Sequence, residues 1–418
     1  MNPSRRDLFR YFSASALAGL VHSAMEREAQ AEGRAAAPPA KAKSVIVLWM
    51  NGGQSHVDTW DPNPGTPVGG PHKAIKTATP GLSISEHLPE LARLSNKLCI
   101  VRSLTHKEGN HQRANALMHT SYSPSPTVDH PSFGGWMSKR LGPPPRGLPA
   151  FVSLGGPSHS AGFFGVQHGP FVLQKAGTLP QNVSYAPGVD QSRFDARLKL
   201  LDTIEADYAQ KTGDPKVEGR RALTTQAVGL MRAPDLSAFD VTGAPKATLD
   251  AFGDSDFGRG CLVASRLVAA GTRYVEVVLD GWDTHTDNFG RTKKLMGVLD
   301  PAFASLLKEL EQKALLTSTT VVLMTDFGRT PRINGNDGRD HFPGASSVVL
   351  AGAGIRPGQV FGETDAQATK VAKPVTVPTL VATLATVLGL DPADAAISPA
   401  GRPIALSDGG QPVRELLA

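Results

Sequence analysis

Three short stretches carry residues that can hold a cation. Asp283 and His285 stand two apart in Asp280-Gly281-Trp282-Asp283-Thr284-His285-Thr286-Asp287-Asn288. A carboxylate oxygen and an imidazole nitrogen on one loop suit zinc or manganese. Asp326 opens Asp326-Phe327-Gly328-Arg329-Thr330-Pro331, and Asp340 and His341 follow in Gly338-Arg339-Asp340-His341-Phe342. Each has an ordinary alternative when taken alone. An Asp after a strand often caps the next helix, and a lone histidine is more often a packed side chain than a ligand. Taken together, Asp283, His285, Asp326 and His341 are the expected metal ligands, with Asp340 as a further ligand or an outer support, for one or two divalent ions (Zn, Mn or Ca).

The first half offers polar loops of a different kind. Asn51-Gly52-Gly53-Gln54-Ser55-His56-Val57-Asp58 has glycines that either let backbone N–H groups approach an anion or make a tight turn. Thr105-His106-Lys107-Glu108-Gly109-Asn110-His111-Gln112-Arg113 is read either as a hydrated loop or as an anion-holding segment. In the second reading His111 is a general acid or base. Arg113 and Arg329 neutralise charge developing on a transferred group. Asn51, Asp58 and His106 are further candidates for contact with substrate or metal.

These loops need a scaffold that brings them together. Ser44–Met50 is a continuous apolar run ending in Asn51-Gly52-Gly53, as expected of a strand buried on both faces. Similar runs occupy 273–279, 319–325 and 346–350, with shorter ones at 98–102 and 150–154. Helical spacing predicts helices over 193–210, 257–270, 292–315 and 377–388. Residues 212–250 are mixed and read as an insertion or cap. Strands alternating with helices predict an α/β domain over 44–418, with a mainly parallel central sheet covered on both faces. Ligands in such folds bind beyond the carboxyl ends of the strands, which is where the polar clusters fall.

The N-terminus reads as an address. Arg5-Arg6 precedes an apolar stretch, Tyr11 to Ala24, and Ala29-Gln30-Ala31 offers a small-x-small cleavage site. This resembles a twin-arginine signal over residues 1–31, the route that exports folded proteins, with a linker over 32–43. The expected location is therefore periplasmic or extracellular, with no transmembrane segment in the mature chain. The 418 residues carry 40% hydrophobic and 19% charged side chains, an ordinary globular balance. A net charge of +5 without a Lys/Arg run gives no sign of nucleic-acid binding. The two cysteines, Cys99 and Cys261, sit in apolar runs and read as buried free thiols.

Several motifs carry a family resemblance. Gly-Gly-x-Ser-x-x-Asp-Thr-Trp-Asp-Pro, from Gly52 to Pro62, resembles the bacterial family called domain of unknown function 1501. So do the Gly281, Asp326 and Gly338 stretches and Gly401-Arg402-Pro403-Ile404. That family is similar in fold to the alkaline phosphatase and sulfatase superfamily. The resemblance implies an exported, metal-dependent hydrolase of phosphate or sulfate esters, with an anionic small molecule or glycan ester as substrate. This sequence departs from the superfamily pattern in three places. Asn51 stands where an Asp is usual, Phe327 follows Asp326 in place of His, and no Ser, Thr or Cys nucleophile stands in a matching motif, Thr105 being nearest in place. These departures support the alternative, an inactive binding or assembly protein of the cell envelope.

Overall fold

Alternation along one strand explains how the molecule is layered. In β1 (Ser44–Met50) every residue is buried, and successive side chains point to opposite faces. Ile46, Leu48 and Met50 enter one apolar core, while Val45, Val47 and Trp49 enter another. The computed structural model describes residues 39–214 and 216–418. The expected signal segment and most of the linker lie outside them. Ala40–Ala418 forms one compact unit.

The remaining strands of the central sheet are β2 (Leu98–Thr105), β3 (Phe151–Leu154), β4 (Phe171–Leu173), β5 (Tyr274–Leu279), β6 (Thr319–Thr325), β7 (Ser346–Gly352), β8 (Gln359–Phe361) and β9 (Val375–Thr376). Their order is β8-β2-β7-β6-β1-β5-β3-β4, with β9 also pairing with β2. β7 runs antiparallel to both neighbours, β2 and β6. The other pairings are parallel. The expected α/β class and mainly parallel sheet are therefore present.

Helices cover both faces. α1 (His111–Thr120), α2 (Phe133–Leu141) and α7 (Val377–Val387) supply Leu117, Trp136 and Leu380 to the core on the Trp49 side. α5 (Asp256–Ala269) and α6 (Asn288–Gln312) supply Leu262, Phe303 and Leu306 to the other. The helices expected over 193–210, 257–270, 292–315 and 377–388 are all found, shifted by a few residues at most ends. The stretch 212–250 holds an unforeseen helix, α4 (Lys216–Met231), which follows α3 (Gln191–Thr212), and a short one at Lys246–Phe252. Its hydrogen-bond and ion-pair partners include Arg146, Gln167 and Arg266, and none of the candidate site residues.

Cys99 and Cys261 are free and buried, and burial pushes the Cys99 thiol up to about 12. Cys261 packs in the α5/α6 core and Cys99 in the opposite one, so the sheet separates them. No helix among the described residues is long and apolar enough to cross a membrane.

Candidate metal centre

The parallel strands deliver their following loops to one edge of the sheet. β1 leads into Asn51, β5 into Asp280–His285, β6 into Asp326, and β2 into His106 and then α1. Because β7 is antiparallel, the residues that precede it arrive at this same edge. A two-residue ladder sets His341 opposite Arg329. Arg339 N–H also donates to Thr284 O at 3.0 Å, tying two of the polar loops together.

Asp283 Oδ1 is the hub. His111 Nε2, His285 Nε2 and His341 Nε2 lie 3.4, 3.2 and 3.5 Å from it. The far nitrogen of each ring is held from behind. His111 Nδ1 meets Asp326 Oδ2 at 2.5 Å, His285 Nδ1 meets Asp340 Oδ1 at 2.9 Å, and His341 Nδ1 meets Gly109 O at 2.8 Å. These acceptors place the ring hydrogens on Nδ1 and turn the Nε2 lone pairs toward Asp283. His285 Nε2 and His341 Nε2 face each other at 2.9 Å. His111 Nε2 is buried and has no hydrogen-bond partner.

Helix and loop chemistry fix these positions. Asn110 caps α1 by accepting from Arg113 N–H at 3.2 Å, which sets His111 at the first helical position. Asp326 Oδ1 accepts from Phe327 N–H at 3.0 Å and from Thr325 Oγ1 at 3.1 Å, leaving Oδ2 for His111. Asn334 Nδ2 donates to Asp340 Oδ1 at 3.2 Å and to His285 O at 3.0 Å. Phe327 packs its buried ring 4.7 Å from that of His111 and 4.6 Å from that of His341.

The electrostatics follow from these contacts. Burial pushes the Asp283 carboxyl up, but the Arg329 hydrogen bond and charge, with His111 and His285, pull it down to about 2. The Asp326 hydrogen bond raises His111 above its ordinary value. Burial, aided by nearby positive charge, lowers His341.

Residues 42–417 match the family described as Protein of unknown function (DUF1501). The chain belongs to that family. No curated protein matches it. Solved structures similar to it include the PsFucS1 sulfatase from Pseudoalteromonas sp., at 14% identity over 84% of this chain and 69% of that one, with a TM-score of 0.37. A protein in the alkaline phosphatase superfamily from Vibrio parahaemolyticus is 10% identical over 85% and 68%, with a TM-score of 0.40. The C-terminal periplasmic domain of EcEptC from Escherichia coli, in complex with Zn, is 13% identical over 90% and 92%, with a TM-score of 0.37.

The other candidate residues in this DUF1501 protein have partners of their own. Arg113 is half-exposed and bidentate on Glu108, at 2.7 and 2.8 Å, so its fork is already filled. Arg329 is wholly buried. It donates to Asp283 Oδ1 at 2.6 Å, to Gly53 O at 2.9 Å and to Arg339 O at 3.1 Å, and also bonds Gly52 O. Its position makes it the residue that holds Asp283, not one that faces a substrate. Asp58 lies beneath the site, fully buried and gripped by Arg339 at 2.7 and 3.0 Å, with Asn288 Nδ2 at 2.8 Å. Asn51 donates to Asp280 Oδ1 at 2.8 Å and accepts from Trp49 Nε1 at 3.2 Å. His106 Nε2 sits 2.7 Å from Asp326 O. Sequence alone assigns Arg339 no role. The signal was its place beside Asp340-His341, but only folding shows that Asp58 is its partner.

Proposed function

We propose that this chain is an exported, metal-dependent hydrolase of phosphate or sulfate esters. One observation carries the reading: three imidazoles from three separate segments aim their Nε2 atoms at Asp283 Oδ1, while each Nδ1 is held from behind. His111, Asp283 and His341 form a three-donor set whose atoms all lie within 4.8 Å of one another. His285 adjoins that set as a fourth ligand. Donors bonded at about 2.0–2.1 Å in a tetrahedral set stand about 3.3 Å apart, close to the separations found here. The unpartnered His111 Nε2 and the facing nitrogens of His285 and His341 fit an ion better than they fit one another.

In this reading His111, Asp283, His285 and His341 hold the ion, and Asp326 and Asp340 orient two of the rings. Arg329 fixes Asp283 in its ionised form, and Arg339 with Asp58 braces the loops from below. A zinc or manganese ion at such a place polarises an ester oxygen and lowers the pKa of water. The substrate class, an anionic ester of a small molecule or glycan, rests on the motif resemblance and on the position of the site at the carboxyl edge of the sheet. Export rests on the Arg5-Arg6 pattern.

A second reading is an envelope binding protein that keeps the ion. What favours it is that no Ser, Thr or Cys side chain among the described residues hydrogen-bonds to His111, Asp283, His285 or His341. The deciding measurement combines metal analysis with turnover. The purified protein should carry zinc or manganese and cleave a nitrophenyl phosphate or a nitrophenyl sulfate. His341→Ala should lower both metal content and rate, the rate by about a hundredfold or more, given several kcal/mol of Lewis-acid stabilisation. A metal-loaded protein inert toward both esters supports the binding protein. A folded protein that is metal-free and inert defeats the hydrolase and leaves a binding or assembly protein without an ion.

A further inference from the structure

A second group of ligand-type side chains stands apart from the centre described above. The strands Ala74–Lys76 and Ser83–Ser85 pair antiparallel, with Ala74 opposite Ser85. Continuing that register sets Lys73 opposite Glu86 and His72 opposite His87, and Glu86 N–H donates to Lys73 O at 2.8 Å. Directly opposed side chains on one face of such a pair are close neighbours. His72 and His87 are thereby neighbours, and with Glu86 they bring one donor atom each within 4.8 Å of the others.

The bonding around His72 sets which of its nitrogens is available. His72 is buried, and its Nε2 lies 3.2 Å from Thr292 Oγ1. The Thr292 hydroxyl hydrogen is directed to Asn288 O at 2.7 Å. Thr292 is therefore the acceptor, His72 Nε2 carries the hydrogen, and the lone pair lies on Nδ1. That Nδ1 faces His87 Nε2 at 3.1 Å. Glu86 Oε1 accepts from Lys73 N–H at 2.9 Å, which fixes the carboxylate beside the two rings. Phe289 meets His72 edge-on at 5.6 Å.

We propose that His72 Nδ1, His87 Nε2 and a Glu86 carboxylate oxygen form a second site for a borderline divalent cation, zinc foremost. Two imidazoles and one carboxylate are a zinc donor set, and the Thr292 contact is the outer-shell device that fixes a ligand's tautomer. The ion would clasp the two ends of the hairpin to each other, and the His72–Thr292 contact joins that clasp to the first turns of α6. That part of the helix also carries Asn288, which holds Asp58, and Phe289, over which Arg339 sits at 5.5 Å. No residue is shared with the first centre, and the proposal does not rest on catalysis.

The test uses the full chain, stripped by a chelator and titrated with zinc against a chromophoric competitor. Wild type should bind one equivalent more than E86Q/H87A, and H285A/H341A should still bind one. H87Q, a milder change at a partly exposed side chain, should weaken that equivalent by about tenfold or more. Far-UV circular dichroism confirms that each variant is folded. The proposal is overturned if H285A/H341A binds no zinc, or if E86Q/H87A binds as much as wild type. Failure of the first centre looks different: H285A/H341A would then match wild type, and E86Q/H87A would bind none.

Discussion

Each histidine at the sheet edge has two ring nitrogens, and the fold commits one of them before any ion arrives. Asp326 and Asp340 make that commitment for His111 and His285. The sequence placed Asp326 among the ligands and left Asp340 as either a ligand or an outer support, because spacing cannot tell a carboxylate that faces an ion from one that stands behind a ring. It likewise marked His111 as an acid or base, since its approach to Asp283 depends on α1 starting beside a loop about 170 residues later. Asp283, His285 and His341 were legible as a group for a simpler reason: acid and imidazole are packed into short polar loops that follow or precede apolar runs. The distinction between the two kinds of acid can be measured. Asp326→Asn and Asp340→Asn retain shape but lose the charge that strengthens each imidazole, and should weaken zinc binding by about 10- to 100-fold. Asp283→Asn removes the hub itself and should weaken it more. Competition titration checks the order; equal affinities for D326N and wild type would remove Asp326 from its supporting role.

Continuous apolar runs made the central strands readable, since a strand buried on both faces has no polar face to confuse with a helix. The reversal of β7 was not readable, because an antiparallel central strand is as apolar as a parallel one. Yet that reversal carries Asp340 and His341 to the edge where the other loops end. Helix α4 is not legible for the opposite reason: it buries only Val217 and Leu230 and contains Gly219 and Gly229, so no apolar stripe stands out. At this scale the loop after β1 is the sensitive joint. Gly52 has φ +107°, and a Cβ built there would lie 2.6 Å from Asp283 N. Its carbonyl also receives Arg329. Gly52→Ala should therefore destabilise the fold by roughly 1–3 kcal/mol and, by displacing Asp283, weaken zinc binding in the same preparation. Gly65 has φ +76° with nothing within 4 Å of a built Cβ. Gly65→Ala should strain the backbone and leave zinc affinity unchanged. If both variants bind zinc like wild type, the Gly52 loop does not position the hub.

Across the whole molecule, the edge that holds the first centre is tied together again from inside the sheet. α1 begins with His111 and ends near His119, whose Nε2 lies 3.1 Å from Glu276 Oε2 on β5, the strand that leads to Asp283. Both side chains are buried. Tyr274 Oη and Ser158 Oγ donate to the same carboxylate oxygen at 3.1 and 2.9 Å. Burial alone would lower His119, but the charge and hydrogen bond of Glu276 outweigh it, with a smaller contribution from Asp326, so its pKa stands above the ordinary 6.5. A raised histidine contributes stability that is complete below the unfolded value of about 6.5 and fades as pH climbs through the folded value. His159, stacked near His119, works in the opposite sense. Burial first, then His119, depresses it to about 4, so acidification below about 6.5 favours the unfolded chain through this residue. The pH profile of wild type thus mixes two slopes, and comparing His159→Gln with the double variant His119→Gln/His159→Gln isolates the first. The stability gap between the two proteins in denaturant titrations should be widest on the acid side and close progressively as pH rises. A gap of constant size would mean that His119 is neutral when folded and that the link between α1 and β5 is an uncharged hydrogen bond.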